Sequence, residues 1–317
     1  MSIALIGAGA AGAACVSVLR SRGAEFSVFE KSRGVGGRLT TRRVSGVISA
    51  GDIAYDHGAG KFSLDEKLIH ALSGSVGQST LQPFAGEYVA QPTMPQLIKD
   101  LLGPTKINTL TEIEKIEGKP GEWWLVIKSQ DNQTTPSRKV GPFSKIVCTA
   151  PAPQALKLLA EVNCSWKDEL KKITYDPCWS LLFTLRGENT LHSLAADEIF
   201  SALTQQSTKA GRTHHSGLQS WVAHAGSSWS WAHLEETAEH INALLLPKAL
   251  DKLASSAAQV VHSTTHRWRF ATVRNSLGVD FLCDESAGLF YAGDGCHGTG
   301  IAGALQSGLS VAGKLLI

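Results

Sequence analysis

The 317-residue chain is 43% hydrophobic and carries 30 Lys and Arg against 28 Asp and Glu, a formal net charge of +2. That balance gives no strong field for nucleic acid or an anionic membrane surface, so neither is expected as a partner. The length suffices for one large core or two domains sharing one, and no apolar run approaches the roughly 18 residues of a membrane span. The apolar opening lacks a basic leading segment, which argues against a secretory signal. Cysteines 15, 148, 164, 178, 283 and 296 form no C-x-x-C and no zinc spacing. They read as reduced, buried thiols of a cytoplasmic protein, with no metal expected.

Ser2 to Ile6 is a short apolar run closed by glycine, the pattern of a buried parallel strand. Gly7, Gly9 and Gly12 follow as G-x-G-x-x-G, and Ala10 to Arg22 reads as a helix of mostly small residues ending at Gly23. The next strand, EFSVFE, ends at Glu30. Strand, glycine turn, helix and strand with an acid at the far end make a dinucleotide-binding fingerprint. Gly7 permits the tight turn, Gly9 lets a pyrophosphate approach the backbone, and Gly12 lets the helix pack close to the strand. The helix opens at Ala10 and Ala11 with free N–H groups and a positive dipole end for phosphates. Glu30, followed by Lys31, is placed to accept ribose hydroxyls and to repel a 2′-phosphate. The expected dinucleotide is therefore FAD or NAD rather than NADP.

Glu30 runs directly into EKSRGVGGRLTTRR, which carries Gly36, Gly37 and Arg38. Near the other end, AGLFYAG reads as a strand from Leu289 to Ala292 ending in Gly293 and Asp294, followed by a helix from about Gly300 to Leu315. Asp294 thus ends a strand, where ligands of open α/β sheets bind. On the helix, Gly300, Ala304, Gly308 and Ala312 share one face, widened by Gly303 and Ser307, and such a stripe admits a second backbone closely. Between these ends, residues 108–128 read as strand, turn and strand, and SKIVCTAPAPQALKLL as strand, turn and helix.

Gly36, Gly37 and Arg38 resemble the second glycine motif of the amine-oxidase-like flavoproteins. The resemblance implies a loop along the pyrophosphate, a ribityl–phosphate contact from Asp294, and a helix start near Ile301 to Ala304 aimed at the flavin. It also implies a backbone contact to adenine, for which Ile113 is the candidate by position. Together with His57, Gly58 and Ala59, these residues complete the expected cofactor set, and they select non-covalent FAD over NAD.

The stretches GGRLTTRR, AYDHGAGKF, STKAGR, WVAHAGSSWS, HRWRFA and AGDGCHGTGIAGALQSG resemble the renalases and their bacterial relatives in order and spacing. The chain departs from that pattern at Gly60-Lys61 and at Thr272-Val273. The resemblance implies an α/β fold: a Rossmann-type, p-hydroxybenzoate hydroxylase-like FAD domain (1–62, 96–164, 271–317) interleaved with a substrate domain (63–95, 165–270) on a mixed or antiparallel sheet. It implies an oxidase that passes hydride from aberrant dihydro-NAD(P) isomers to flavin and electrons on to O2, giving NAD(P)+ and hydrogen peroxide. A flavin amine oxidase or desaturase, a non-redox flavin isomerase, and a non-catalytic FAD module remain as alternatives.

Tryptophans 166, 179, 221, 229, 231 and 268 fall in the expected substrate domain, where an aromatic face would suit a flat substrate. Strand alternation in HRWRFA puts His266, Trp268 and Phe270 on one face and Arg267 and Arg269 on the other. His57, Trp268 and His224 are the candidate catalytic residues, with His57 expected nearest the flavin as substrate orienter or proton helper. For His224 and the tryptophans, an ordinary place in the core is the competing reading.

Overall fold

Ile3–Ile6 is buried along its whole length, and its alternating side chains feed two different cores. Ile3 and Leu5 join one cluster, Ala4 and Ile6 the other, as a strand covered on both faces requires. The computed structural model describes residues 2–49, 51–129, 138–187, 193–256, 259–298 and 300–317; Thr299, within the glycine-rich C-terminal stretch, lies outside them.

Around Ile3–Ile6 the first sheet runs Leu282–Asp284, Leu289–Tyr291, Lys145–Cys148, Ile3–Ile6, Phe26–Phe29, Ile107–Asn108. All pairs are parallel except the one at the Leu282–Asp284 edge. The chain leaves this sheet after Phe29 and again after Cys148, and returns each time, so its ends meet at the centre of one Rossmann-like layer. Residues 113–143 add a three-stranded antiparallel sheet beside it.

The helix Ala10–Ser21 packs directly on Gly300–Leu315, backbone against backbone. A Cβ on Gly308 would lie 2.1 Å from the carbonyl oxygen of Ala11. A Cβ on Gly12 would lie 2.1 Å from that of Gly7. Both contacts are closer than any side chain permits, so the small-residue stripe fixes how near the two helices and the phosphate loop stand. Leu5, Val16, Leu19 and Leu305 are fully buried around this crossing, each contributing about 1.5–3 kcal/mol of transfer free energy.

The second large sheet is antiparallel throughout, in the order Ser193–Leu194, Phe200–Gln205, Leu218–Ala225, Thr174–Arg186, Val260–Asn275. The helix Ala238–Lys252 covers one face, its Leu245 buried in one cluster with Phe183 and Trp221. The hairpin Arg42–Ile48/Gly51–Tyr55 lies on the other, where Ile53 and Tyr55 meet Leu182 and Val222.

Two expected boundaries need correction. The break at 270/271 falls inside the unbroken strand Val260–Asn275, which pairs with Thr174–Arg186 over most of its length. Residues 63–95 belong by packing to the Rossmann side: Leu68, Leu72, Val89 and Met94 join the cluster that holds Val16 and Leu305. The tryptophans are likewise distributed. Trp166 joins the core beside the Rossmann sheet, and Trp179 and Trp221 the core beneath the long helix. Trp229 stacks on His233, and Trp231 is exposed.

Candidate active site

The first glycine loop is held from three sides. The Gly7 amide donates to the carbonyl of Phe29, the Gly36 amide to the carbonyl of Ala8, and the Ala8 amide to Glu30 Oε2 at 2.9 Å. Glu30 Oε1 accepts the amide of Ser32 at 2.8 Å. One backbone donor per oxygen leaves each with a lone pair for a ribose hydroxyl, so the buried acid both shapes the loop and can face a ligand. Lys31 is exposed and reaches Gln154. Ile113 opens its strand two residues after Thr111, whose amide donates to the carbonyl of Glu30. At Ala10–Ser21 the first turn has no acidic residue and no side-chain cap. Its free N–H groups are the donors that a pyrophosphate accepts.

Arg38 connects this loop to the other end of the chain. Its guanidinium donates to Asp294 Oδ1 at 2.8 Å, contacts Oδ2 at 2.6 Å and donates to the carbonyl of Ala271 at 3.1 Å. Burial alone would lower the Arg38 pKa, but Asp294 outweighs it and raises it further. Gly293 is held by Ser307, its amide donating to Oγ at 3.0 Å. A short helical turn, Asp294–His297, intervenes before Gly300–Leu315.

The segment from Tyr55 to Gly60 crosses the open face of the antiparallel sheet. Its local geometry differs from the expectation. The ring of His57 does not line the cavity; it packs edge-on against His266, with centroids 4.8 Å apart, and beside Trp268. Nδ1 is buried with no hydrogen-bond partner, and burial together with His266 pushes the pKa down to about 3. Burial and His266 therefore favour the uncharged form of the ring. The carbonyl of His57 is the busier group, accepting from Ser180 Oγ (2.8 Å), Trp268 Nε1 (2.8 Å) and His224 Nε2 (3.3 Å). His224 does line the cavity, and burial with Lys209 nearby holds it near 4, also uncharged. Gly58 passes the carbonyl of Arg38 so closely that a Cβ would lie 2.0 Å from it, and the Ala59 amide donates to that same oxygen at 2.8 Å.

Sequence reasoning missed the group that anchors this segment. Asp56 is buried with two cations: Lys209 Nζ at 3.1 Å and Arg212, whose Nε and Nη2 reach Oδ2 at 3.0 and 2.6 Å. Thr41 donates to Oδ1 at 2.6 Å. Burial alone would raise the Asp56 pKa, but Lys209, Arg212 and Thr41 hold it below the ordinary carboxylate range. Burial lowers the Lys209 pKa in spite of Asp56. The signal was present as the acid of DHGA and the cations of STKAGR, but each alone reads as a solvated charge.

Beyond this segment lies a cavity of about 510 Å³. Arg38, Asp294, Gly300 and Ile301 form one wall, Cys178, His224 and Trp268 the facing one, and Lys61, Ser63 and Glu87 the rim. Arg267 and Arg269 point away from the cavity to Glu235 on the outer face. Among the described residues no cluster of His, Cys, Asp or Glu could hold a metal ion, and no helix is long and apolar enough to cross a membrane.

These features fit a flavin dinucleotide. The uncapped helix start and glycine loop offer free N–H donors to phosphates, Glu30 offers accepting oxygens to a ribose, and Asp294, Gly300 and Ile301 line a cavity with room for a ring system. Fold and site together define a dinucleotide-binding flavoenzyme. Residues 82–316 match the family of flavin containing amine oxidoreductases, and residues 5–72 the NAD(P)-binding Rossmann-like domain. The chain belongs to the flavin containing amine oxidoreductases; it is a flavin-dependent oxidoreductase, and its cofactor is FAD.

Solved structures share the fold over nearly the whole length. An Exiguobacterium sp. 255-15 protein provisionally named a protoporphyrinogen oxidase is 12% identical, with TM-score 0.68, covering 99% of this chain and 98% of that one. Cyclohexylamine oxidase from Brevibacterium oxydans IH-35A is 13% identical, with TM-score 0.65, covering 99% and 98%. An oxidoreductase from Methanosarcina mazei is 16% identical, with TM-score 0.61, covering 98% and 99%. At such identities the likeness speaks for the fold alone.

Proposed function

We propose that the protein is a renalase-like oxidase that oxidises aberrant dihydronicotinamide isomers of NAD(P)H to NAD(P)+. The observation that carries this reading is the convergence of four separate stretches on one point. AYDHGAGKF supplies Asp56 and the His57 carbonyl, STKAGR supplies Lys209 and Arg212, WVAHAG supplies His224, and HRWRFA supplies Trp268. These are the stretches by which the chain resembles the renalases beyond the general flavoenzyme motifs; Gly58, Gly60, His224 and Trp268 line one cavity, and the buried Asp56–Lys209–Arg212 group anchors the segment just behind Gly60.

The chemistry of the cavity supports the reading further. Its charged groups are paired, Arg38 with Asp294 and Lys61 with Glu87, and His224 is uncharged. Loss of hydride from a dihydronicotinamide is driven by aromatisation and asks little of an acid or base, so a wall that positions and excludes water suffices. FAD, when bound, supplies the hydride acceptor and, on re-oxidation by O2, the route to hydrogen peroxide. Trp268, fixed through its Nε1 to the His57 carbonyl, gives a flat substrate an apolar surface. In this reading the Rossmann layer is the FAD domain, and the antiparallel sheet the p-hydroxybenzoate hydroxylase-like substrate domain. Amine oxidation is the second reading, favoured by a carboxylate, Glu87, at the cavity rim.

The test is stoichiometry under air. One NAD(P)+ and one hydrogen peroxide per isomer consumed is the expected result. Turnover without oxygen uptake would identify an isomerase instead.

A further inference from the structure

The departure Gly60-Lys61 lies on the cavity rim. Lys61 Nζ stands 2.6 Å from Glu87 Oε2, and Ser63 Oγ donates to Glu87 Oε1 at 2.8 Å. Lys61 also reaches the carbonyl of Ala85, at the tip of the hairpin Leu81–Phe84/Glu87–Ala90. The charges around the cavity are four: Arg38 with Asp294, and Lys61 with Glu87.

The two pairs differ in kind. Asp294 is 4% exposed, with one hydrogen bond and a second ionic contact to Arg38, so separating them would strand a buried charge. The Lys61 side chain is 44% exposed and Glu87 29%, on one single-point contact. Such exposed pairs are weak, and a lysine ammonium on its flexible stem readily changes partner. Glu87 would not be left bare, because Ser63 still donates to it. Burial would raise the Glu87 pKa, but Lys61 and Ser63 lower it, so it stays ionised. Lys61 is thus a cation parked at the mouth, free to exchange a carboxylate for a dianionic phosphate.

We propose that Lys61 is a specificity residue, released from Glu87 to pair with a phosphate of the substrate, and that the site therefore selects phosphorylated dihydronicotinamides. This rests on the function proposed above, and deepens it: the nicotinamide ring lies against Trp268 and the phosphate leaves the cavity across the rim. The Glu87 carboxylate acts as a competitor that sets how tightly a phosphate must bind.

The experiment compares two isomeric substrates on the FAD-loaded enzyme, a dihydronicotinamide mononucleotide and its riboside, which lacks only the phosphate. Lys61→Met is expected to raise KM for the mononucleotide about tenfold relative to the riboside, with kcat little changed, the size of one lost charge-assisted contact. Glu87→Gln is expected to move the same ratio the other way by freeing Lys61. Equal effects on both substrates, or shifts of the same sign in the two variants, would overturn the assignment. If wild-type enzyme oxidises neither compound, the proposed function falls separately. Lys61 is then judged by binding of nicotinamide mononucleotide, followed by perturbation of the flavin spectrum. A response lost in Lys61→Met upholds it, and equal responses in both proteins overturn it.

Discussion

Single side chains in this protein do work that their type does not announce. Glu30, read from the sequence as a ribose acceptor, fixes the glycine loop through the amides of Ala8 and Ser32. Glu30→Gln keeps the shape but has one acceptor where two are needed. It should lower FAD retention about tenfold, read as the flavin-to-protein ratio after gel filtration. His57 illustrates the opposite case, a ring expected at the chemistry whose carbonyl is the important group. Its pKa near 3 and that of His224 near 4 lie below the ordinary 6.5. Between those values the unfolded chain binds protons that the folded chain does not, so stability falls as pH drops below about 6.5. Each histidine contributes up to roughly 1.4 kcal/mol per pH unit in that window. His57→Phe keeps the carbonyl and removes one titration. Its denaturant midpoint should therefore fall less steeply than that of wild type between neutral pH and about pH 5. An unchanged slope would contradict the assignment.

At the scale of elements, the crossing of Ala10–Ser21 and Gly300–Leu315 joins the two ends of the chain into one cofactor site. Gly308→Val forces two methyls and a Cβ into the Ala11 backbone. It should cost about 3 kcal/mol or more, visible as a lower thermal midpoint and weaker FAD binding. This crossing was legible in the sequence because every signal for it is local: the glycine spacing, the short apolar run Ser2 to Ile6, and the small-residue stripe. The buried group that anchors the segment before Gly60 was not legible in the same way. Asp56 meets Lys209 and Arg212 only because the loop after Phe200–Gln205 returns beneath the segment following Gly51–Tyr55. Nothing in the spacing of those residues encodes that return. Asp56→Ala should leave two buried cations without their acid and cost about 3–5 kcal/mol. Urea denaturation measures this, and a near-neutral outcome would show that the network is dispensable.

Among the described residues one chain threads two large sheets and three smaller ones, so the two layers are not two bodies in sequence. The strand Val260–Asn275 continues without a break past the expected boundary at 270, so Trp268 on the cavity wall and Ala271 beneath Arg38 ride on one rigid element. The division implied by the resemblance puts its cut at 270/271 inside an element, because a long strand carries no marker where it passes from one layer to the next. The six cysteines are free, and Cys296, closest in sequence to Asp294, is buried with its thiol pushed up to about 12. A thiol so placed is a poor nucleophile. Denaturation should therefore release all of the FAD, and a flavin that stays with the polypeptide would show a covalent link.

The most direct test of the central claim is anaerobic mixing of the FAD-loaded protein with dihydronicotinamide isomers and, separately, with primary and secondary amines, following the long-wavelength flavin band. The account predicts rapid bleaching by the isomers, formation of the aromatic nicotinamide, and no bleaching by amines. Bleaching by amines with none by the isomers would contradict it.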